Sequence, residues 1–382
     1  MKIVIAPDSF KGSLSSEEVA KAIREGIMRA MPTAETILIP MADGGEGTVD
    51  SLVQATQGTK ITVPVRGPLQ DEVMATYGVL GDGITCVIEM ASASGLVQIP
   101  EEHRNPMLAT TYGTGQLIRH ALDHGYRSFI LALGGSATND GGSGMLQALG
   151  LQLLDAEGNE IGPGGQALSH LTQIDASKWD EQVIRDSRFI IASDVTNPFI
   201  GPQGASHVFG PQKGATAEMV EVLDAALMNF ANVMVAHTGI AVHYLPGAGA
   251  AGGLGGAFQA FFAASTRRGI DVVIEMTKLD EHLQDAQLVI TGEGQTDAQT
   301  ASGKAPMGIA QAASKLGVPV IVISGSVGHG IEKLYEYGMT SIHSIVSGPM
   351  TLQEAMSRTP ELLAQKAEQV MRTFLAGRKK EV

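Results

Sequence analysis

The 382-residue sequence predicts an α/β protein, on three observations. Short apolar runs of strand length alternate with helical patterns at both ends of the chain, the middle has a different texture, and the runs repeatedly end in loops rich in Gly, Ser and Asp. The economical arrangement is one discontinuous parallel-sheet domain built from residues 1–65 and 287–382, with a second α/β domain inserted over residues 66–286. A cleft between two such domains is the default place for a ligand.

The first strand is expected over residues 3–6, running into Asp8, Ser9 and Lys11. Ser15 with Glu18 three residues on forms a capping box, and Val19, Ala22, Ile23, Gly26, Ile27 and Ala30 then recur at helical spacing up to Pro32. With a second strand at residues 36–40 this makes a βαβ unit, which implies a parallel, right-handed crossover. After Asp43 a helix is expected over residues 46–55. Residues 60–65, 74–80 and 85–90 then read as consecutive strands separated by glycine turns, which marks a new layer. From Thr111 the alternation returns, with a helix over residues 116–124 and a strand over 129–133, whereas residues 151–175 are turn-rich and read as irregular. Residues 216–237 form the clearest helix, with Met219, Leu223, Leu227, Phe230 and Met234 on a core-facing stripe. Residues 240–245 and 269–275 have strand character, with a helix over 254–264 between them. Strands at 288–290, 318–323 and 341–346 and helices at 306–316, 331–337 and 360–376 complete a plain βαβ pattern. The tail from Gly377, with Arg378, Lys379 and Lys380, is expected to be frayed and solvated.

Composition narrows the function. Lys and Arg number 26 against 40 Asp and Glu, a formal charge of −14, so neither a nucleic-acid partner nor an anionic membrane surface is expected. Cys86 is the single cysteine, which excludes an intrachain disulfide and a thiolate metal cluster, and its apolar surroundings predict a buried, inert thiol. Too few apolar residues precede Pro7 for a signal-peptide core, and no run is expected to reach the ~20 residues of a membrane span. These readings predict a cytoplasmic enzyme, monomeric or homodimeric, acting on a small molecule.

The candidate chemistry lies in the loops. Residues 131–144, LALGGSATNDGGSG, read as strand, polar glycine-rich turn and helix, a form in which backbone N–H groups and a helix N-terminus can meet an anion. Carboxylates and hydroxyls follow other strands in the same way: Asp43 after residues 36–40, Asp194 and Asn197 after 189–192, Glu293, Thr296 and Asp297 after 288–290. In α/β proteins such loops converge at the carboxyl ends of the strands, where ligands bind. Gly247, Gly249 and Gly252 match G-x-G-x-x-G, so dinucleotide binding, phosphate contact and close backbone packing all have to be weighed there. Lys304 follows Gly303, but Ala298 and Ala305 stand where a P-loop needs Gly and Ser or Thr. Histidines show no metal-ligand spacing, and no G-x-S-x-G elbow supports a serine hydrolase. Phosphoryl transfer needs phosphates held by N–H groups and cations, Mg²⁺, and a carboxylate for the acceptor hydroxyl, and these loops supply each part.

The six motifs APDSFKGSLSS, MADGGEGT, GGSATNDGGSGM, SDVTNP, PGAGAAGGLGGA and GEGQTDAQTASGK, in this order along essentially the whole chain, resemble the bacterial class I glycerate kinases. The resemblance implies a split, Rossmann-like domain with an insertion, and ATP-dependent phosphorylation of D-glycerate on its 2-hydroxyl to give 2-phosphoglycerate. The residue roles expected here are inferred from the chemistry. Asp194, with Asp43 as rival, is the base and Lys11 a catalytic cation; Asp8, Ser9 and Asn197 hold glycerate. Gly134, Gly135, Ser136, Asn139, Asp140, Gly247, Gly249, Gly252 and Lys304 take ATP, and Glu293 and Asp297 lie near Mg²⁺.

Overall fold

A computed structural model describes residues 1–378, so Lys379 and Lys380 of the tail lie outside the described residues. The chain divides into two compact units, one formed by Met1–Asp43, Asp50–Thr56 and the chain from Ile270 onward, the other by Gly44–Val49 and Gln57–Gly269.

The first unit is a five-stranded, all-parallel sheet in the order Met339–Ser344, Val320–Ser324, Leu288–Thr291, Lys2–Ile5, Glu35–Leu38. Helix Ser16–Ala30 starts on the Ser15–Glu18 capping box read from the sequence, which satisfies N–H groups that a helix start leaves unpaired. Its buried stripe, Val19, Ile23 and Ile27, packs with Leu363, Ala367 and Met371 of helix Thr359–Arg378 over Ile3, Ile5 and Ile290 of the sheet. Helix Ala305–Ser314 packs on strands Leu288–Thr291 and Val320–Ser324. Residues 331–337 form a 3-10 turn bounded by Gly330 and Gly338, both at positive φ.

The second unit holds a six-stranded sheet in the order Ser265–Arg267, Arg188–Ala192, Ser128–Ala132, Thr85–Glu89, Glu72–Val79, Thr59–Arg66. The first four strands are parallel and the last two antiparallel, a meander that needs no crossover helix. Strand Thr59–Arg66 pairs along its length with Glu72–Val79, so residues 57–65 belong here and not with residues 1–56 as expected. Residues 270–286 likewise fall in the first unit, because helix Gly269–Met276 sets Ile270 against Gly308 of helix Ala305–Ser314. Residues 269–275 were expected as a strand. Their β-branched run favours a strand by propensity, but buried Ile270, Val273 and Thr277 recur at helical spacing and tertiary packing decides.

Three further expectations are corrected. Residues 240–245 form turns, since Tyr244 is exposed and the His243 carbonyl accepts from Phe199 and Ile200 N–H groups, leaving no ladder. Residues 151–175 are more ordered than expected, with strands Gln152–Leu154 and Gln173–Asp175 paired antiparallel. Helix Ala217–Thr238 is long and apolar enough, by length and composition, to cross a membrane. Its Leu223, Leu227, Phe230 and Met234 are buried in this unit's core and Glu218, Glu221 and Asp224 lie in its first turns, so its apolar length is core packing. Cys86 is buried in the same core, which pushes its thiol up to about 12 and leaves it inert.

Candidate active site

In the first unit the strand order reverses direction between Lys2–Ile5 and Leu288–Thr291. From the former the chain crosses by helix Ser16–Ala30 to Glu35–Leu38 on one side; from the latter it crosses by helix Ala305–Ser314 to Val320–Ser324 on the other. Loops leaving two strands in opposite directions open a crevice at their carboxyl ends, the usual ligand position in such sheets. Asp8 and Glu293 stand there, with the Asp8 N–H donating to the Gly292 carbonyl at 2.8 Å.

Burial pushes the Asp8 carboxyl up to about 8; the carboxylates of Asp43 and then Glu293 add to the effect against a 2.6 Å hydrogen bond from the Ser9 N–H. Glu293 is also raised by burial. Its Oε1 accepts from Thr300 Oγ1 at 2.7 Å and Thr296 Oγ1 at 3.0 Å, and its Oε2 lies 3.4 Å from Lys304 Nζ. Thr296 Oγ1 in turn lies 2.5 Å from Ser324 Oγ. Lys304 is thereby held one contact from the acidic group. Asp297 differs from expectation: its Oδ1 accepts from the Gln299 N–H at 2.8 Å and its Oδ2 from Gln295 Nε2 at 2.7 Å, capping the 3-10 turn Ala298–Ser302. Ser9 is half-buried, Asp43 half-buried and Lys11 exposed. Thr296 was among the expected loop groups, whereas Thr300 and Ser324 are residues that sequence reasoning did not use; a second threonine, seven positions after Glu293, was the available signal.

In the second unit, loops 133–142, 193–200 and 246–253 pack together. The Gly249 N–H donates to the Asn197 carbonyl at 3.0 Å, and the Gly141 N–H to the Gly252 carbonyl at 2.9 Å. A Cβ on Gly252, at φ +67, would lie 2.0 Å from the Thr138 carbonyl oxygen. The G-x-G-x-x-G match is therefore a close-packing device, with Gly247, Gly249 and Gly252 all buried. Strand Ser265–Arg267 follows the helix after it, but residues 240–245 form turns, so no strand leads into the glycines and the dinucleotide context is incomplete.

Loop 133–142 is divided. Gly134 and Gly135 are exposed at its tip, while Ser136 is buried and bridged to Gly95. Asn139 and Asp140 are fully buried, against the expectation that they meet ATP. Asn139 Nδ2 donates to Ser206 Oγ at 2.9 Å. Asp140 Oδ2 accepts from the Thr111 N–H at 2.8 Å and Thr111 Oγ1 at 2.9 Å, and its Oδ1 from the Gly142 N–H at 3.1 Å. Burial still pushes the Asp140 carboxyl upward. Lys213, equally buried, donates from Nζ to the Thr138 carbonyl at 2.6 Å; burial pushes its ammonium down to about 7, against the pull of Asp140. These groups fix the loop from beneath. Asp194 is exposed and Asn197 half-buried at the end of strand Arg188–Ala192, Asn197 Nδ2 donating to the Gln203 carbonyl at 2.9 Å. Expected site residues thus fall in both units, Asp8, Ser9, Lys11, Asp43, Glu293, Asp297 and Lys304 in the first and the others in the second.

A parallel sheet with acids and lysines at its switch point defines an α/β enzyme equipped for anionic, phosphorylated substrates. The family model described as the glycerate kinase family matches residues 3–375, and the chain belongs to that family. It is 50% identical over 370 residues to the glycerate kinase of Bacillus subtilis strain 168, with 97% of each chain covered. It is 46% identical over 377 residues to the glycerate 2-kinase of Escherichia coli K12, with 99% of each covered. A crystal structure assigned as glycerate kinase 2 from Salmonella typhimurium LT2 superposes with a TM-score of 0.89 at 48% identity, again over 99% of each chain. The fold is that two-unit α/β architecture, and the protein is a kinase that uses ATP.

Proposed function

We propose that this chain transfers the γ-phosphoryl group of ATP to the 2-hydroxyl of D-glycerate, giving 2-phosphoglycerate and ADP in the cytoplasm. The likeness to the E. coli glycerate 2-kinase over 99% of both chains carries the reading. The acid and lysine group at the switch point supports it, because phosphoryl transfer asks mainly for positioning and charge.

In this reading Asp194 takes the proton of the 2-hydroxyl as its oxygen bonds to the γ-phosphorus and the bond to the ADP oxygen breaks; Asp43 is the rival base. Lys11 and Lys304 offset charge on the phosphate oxygens, and the N–H groups of exposed Gly134 and Gly135 offer further donors. Ser9 and Asn197 bind glycerate. Asn139, Asp140, Ser136, Gly247, Gly249 and Gly252 take a supporting role, shaping the loops rather than touching ligand.

Among the described residues no three of His, Cys, Asp and Glu are grouped so as to hold a metal ion alone. Mg²⁺ in kinases takes only one or two protein carboxylates, the rest being phosphate and water oxygens. Asp8 and Glu293 fit that requirement: their carboxyls are raised by burial, and Asp8 also by neighbouring acids, so a cation beside them relieves both. They replace the expected pair of Glu293 and Asp297. Mg²⁺ bound there would supply neutralisation of phosphate charge.

The test is phosphorus NMR of the product formed from D-glycerate, ATP and Mg²⁺. A 2-phosphoglycerate resonance is the expected result. A 3-phosphoglycerate resonance overturns the position of transfer, and folded protein that transfers nothing overturns the reading.

A further inference from the structure

The first unit contains a cavity of about 640 Å³ that none of the roles above uses, apart from Lys11 at one end. It opens at the carboxyl ends of strands Leu288–Thr291, Val320–Ser324 and Met339–Ser344, between the loops after them and helix Leu352–Ser357. Its walls are mainly apolar, with Phe10, Val346, Met350 and Leu352 among them, and Gln295 adds polar atoms at the edge. Leu352 is 76% exposed and Val346 37%, large apolar side chains left uncovered around the opening. Among the described residues, Lys11 is the sole charged group in the lining. Gly294, on the opposite wall, directly follows Glu293, and a Cβ built on it lies 3.6 Å from the Lys11 backbone nitrogen. One end of the cavity is thus formed by Lys11 and by Gly294, the residue next to Glu293, and the remainder is uncharged.

We propose that this cavity receives the purine ring of the nucleotide. The assignment rests on the kinase reading given above. A flat, neutral, weakly polar ring suits an apolar slot with a few polar atoms at its edge, and flexible Met350 and Met356 can close on its faces. The polyphosphate then leaves past Lys11 toward Glu293 and Lys304. A small anion made of a carboxylate and two hydroxyls, as glycerate is, gains little from these walls.

Ala355 lies in the lining on helix Leu352–Ser357, where a large side chain projects into the space without breaking the helix. Ala355→Trp in the full chain is therefore compared with the parent by calorimetric titration of ADP and of inorganic tripolyphosphate, which lacks the base, and by steady-state kinetics. ADP affinity is expected to fall at least tenfold and the KM for ATP to rise alike, while tripolyphosphate affinity and the KM for glycerate stay within twofold. Unchanged ADP affinity, or equal loss for both ligands, overturns the assignment. In the parent protein, photolabelling with 8-azido-ATP followed by peptide mapping gives an answer that does not depend on the variant folding. Label within residues 10–13, 294–295, 325–326 or 345–359, the segments that line the cavity, supports the pocket, and label elsewhere overturns it. Parent enzyme that binds no ADP and transfers no phosphate would instead sink the kinase reading.

Discussion

Asp194 and Asp8 carry the predictions that belong to single residues. Replacing Asp194 by Asn keeps the shape and removes the proton acceptor, so kcat is expected to fall about a hundredfold or more with the KM for glycerate little changed. A near-normal kcat in Asp194→Asn, with that loss appearing in Asp43→Asn, moves the role to Asp43. Asp8 makes a prediction of opposite sign for stability and activity. With its carboxyl near 8 in the folded protein and near 4 in the unfolded chain, the folded state holds a proton that the unfolded state lacks between those values. Stability from this group therefore declines as pH rises across that window. Asp8→Asn does not titrate, so without Mg²⁺ or nucleotide its Tm is expected to exceed the parent's by about 3 °C or more at pH 8 and by little at pH 5. The same variant should lose at least tenfold in kcat/KM, the usual relation where a functional group is held in a destabilising place. A Tm difference that is flat in pH would show that Asp8 ionises like a surface acid. At this scale the sequence named most of the acids and lysines but could not separate exposed from buried ones. Asp194 and Asp140 both lie in loops that follow strands, yet one is exposed and the other is enclosed by Thr111 and Gly142.

Among the elements, the pair of helices Ser16–Ala30 and Thr359–Arg378 shows how local preference yields to packing. Ala favours a helix over Gly by up to ~1 kcal/mol, so Gly26→Ala improves the isolated helix. In the folded unit a Cβ at Gly26 would lie 2.1 Å from the Ala364 carbonyl oxygen and 2.8 Å from Ala367 Cβ, which forces the two helices apart. Gly26→Ala is expected to lower Tm by about 5 °C or more in a thermal melt, and a rise would show that the interface yields freely. The helix itself was legible, since Ser15, Glu18 and the apolar stripe act within one segment. Helix Gly269–Met276 was not, because β-branched Ile270, Val272, Val273 and Ile274 leave strand and helix close in energy until Ile270 meets Gly308. The G-x-G-x-x-G match was read ambiguously for the same reason: Gly252 exists to admit the Thr138 carbonyl, a partner 114 residues away by numbering.

For the whole molecule, the second unit is almost one continuous piece, Gln57–Gly269, with its own core running from Val65 to Phe262. Expressed alone, residues 57–269 are expected to melt in a single cooperative transition with α/β circular dichroism; a non-cooperative melt would show that Gly44–Val49 is needed, since the Val49 N–H donates to Glu89 Oε1 at 2.7 Å. The first unit offers no such fragment, as its central strands Lys2–Ile5 and Leu288–Thr291 come from the two ends of the chain. What the sequence by itself determined is whatever depends on near neighbours: the alternation of strands and helices, the capping box at Ser15, the polar loops after strands and, through six ordered motifs, membership of the glycerate kinase family. Tertiary structure alone decided the strand order, and with it the switch point that brings Asp8 to Glu293 and Lys304 to Glu293. It also decided which loop groups are buried. The physical reason is the same in each case: hydrogen-bond ladders, desolvation and close packing are set by residues far apart in the chain, and periodicity within a segment carries no record of them.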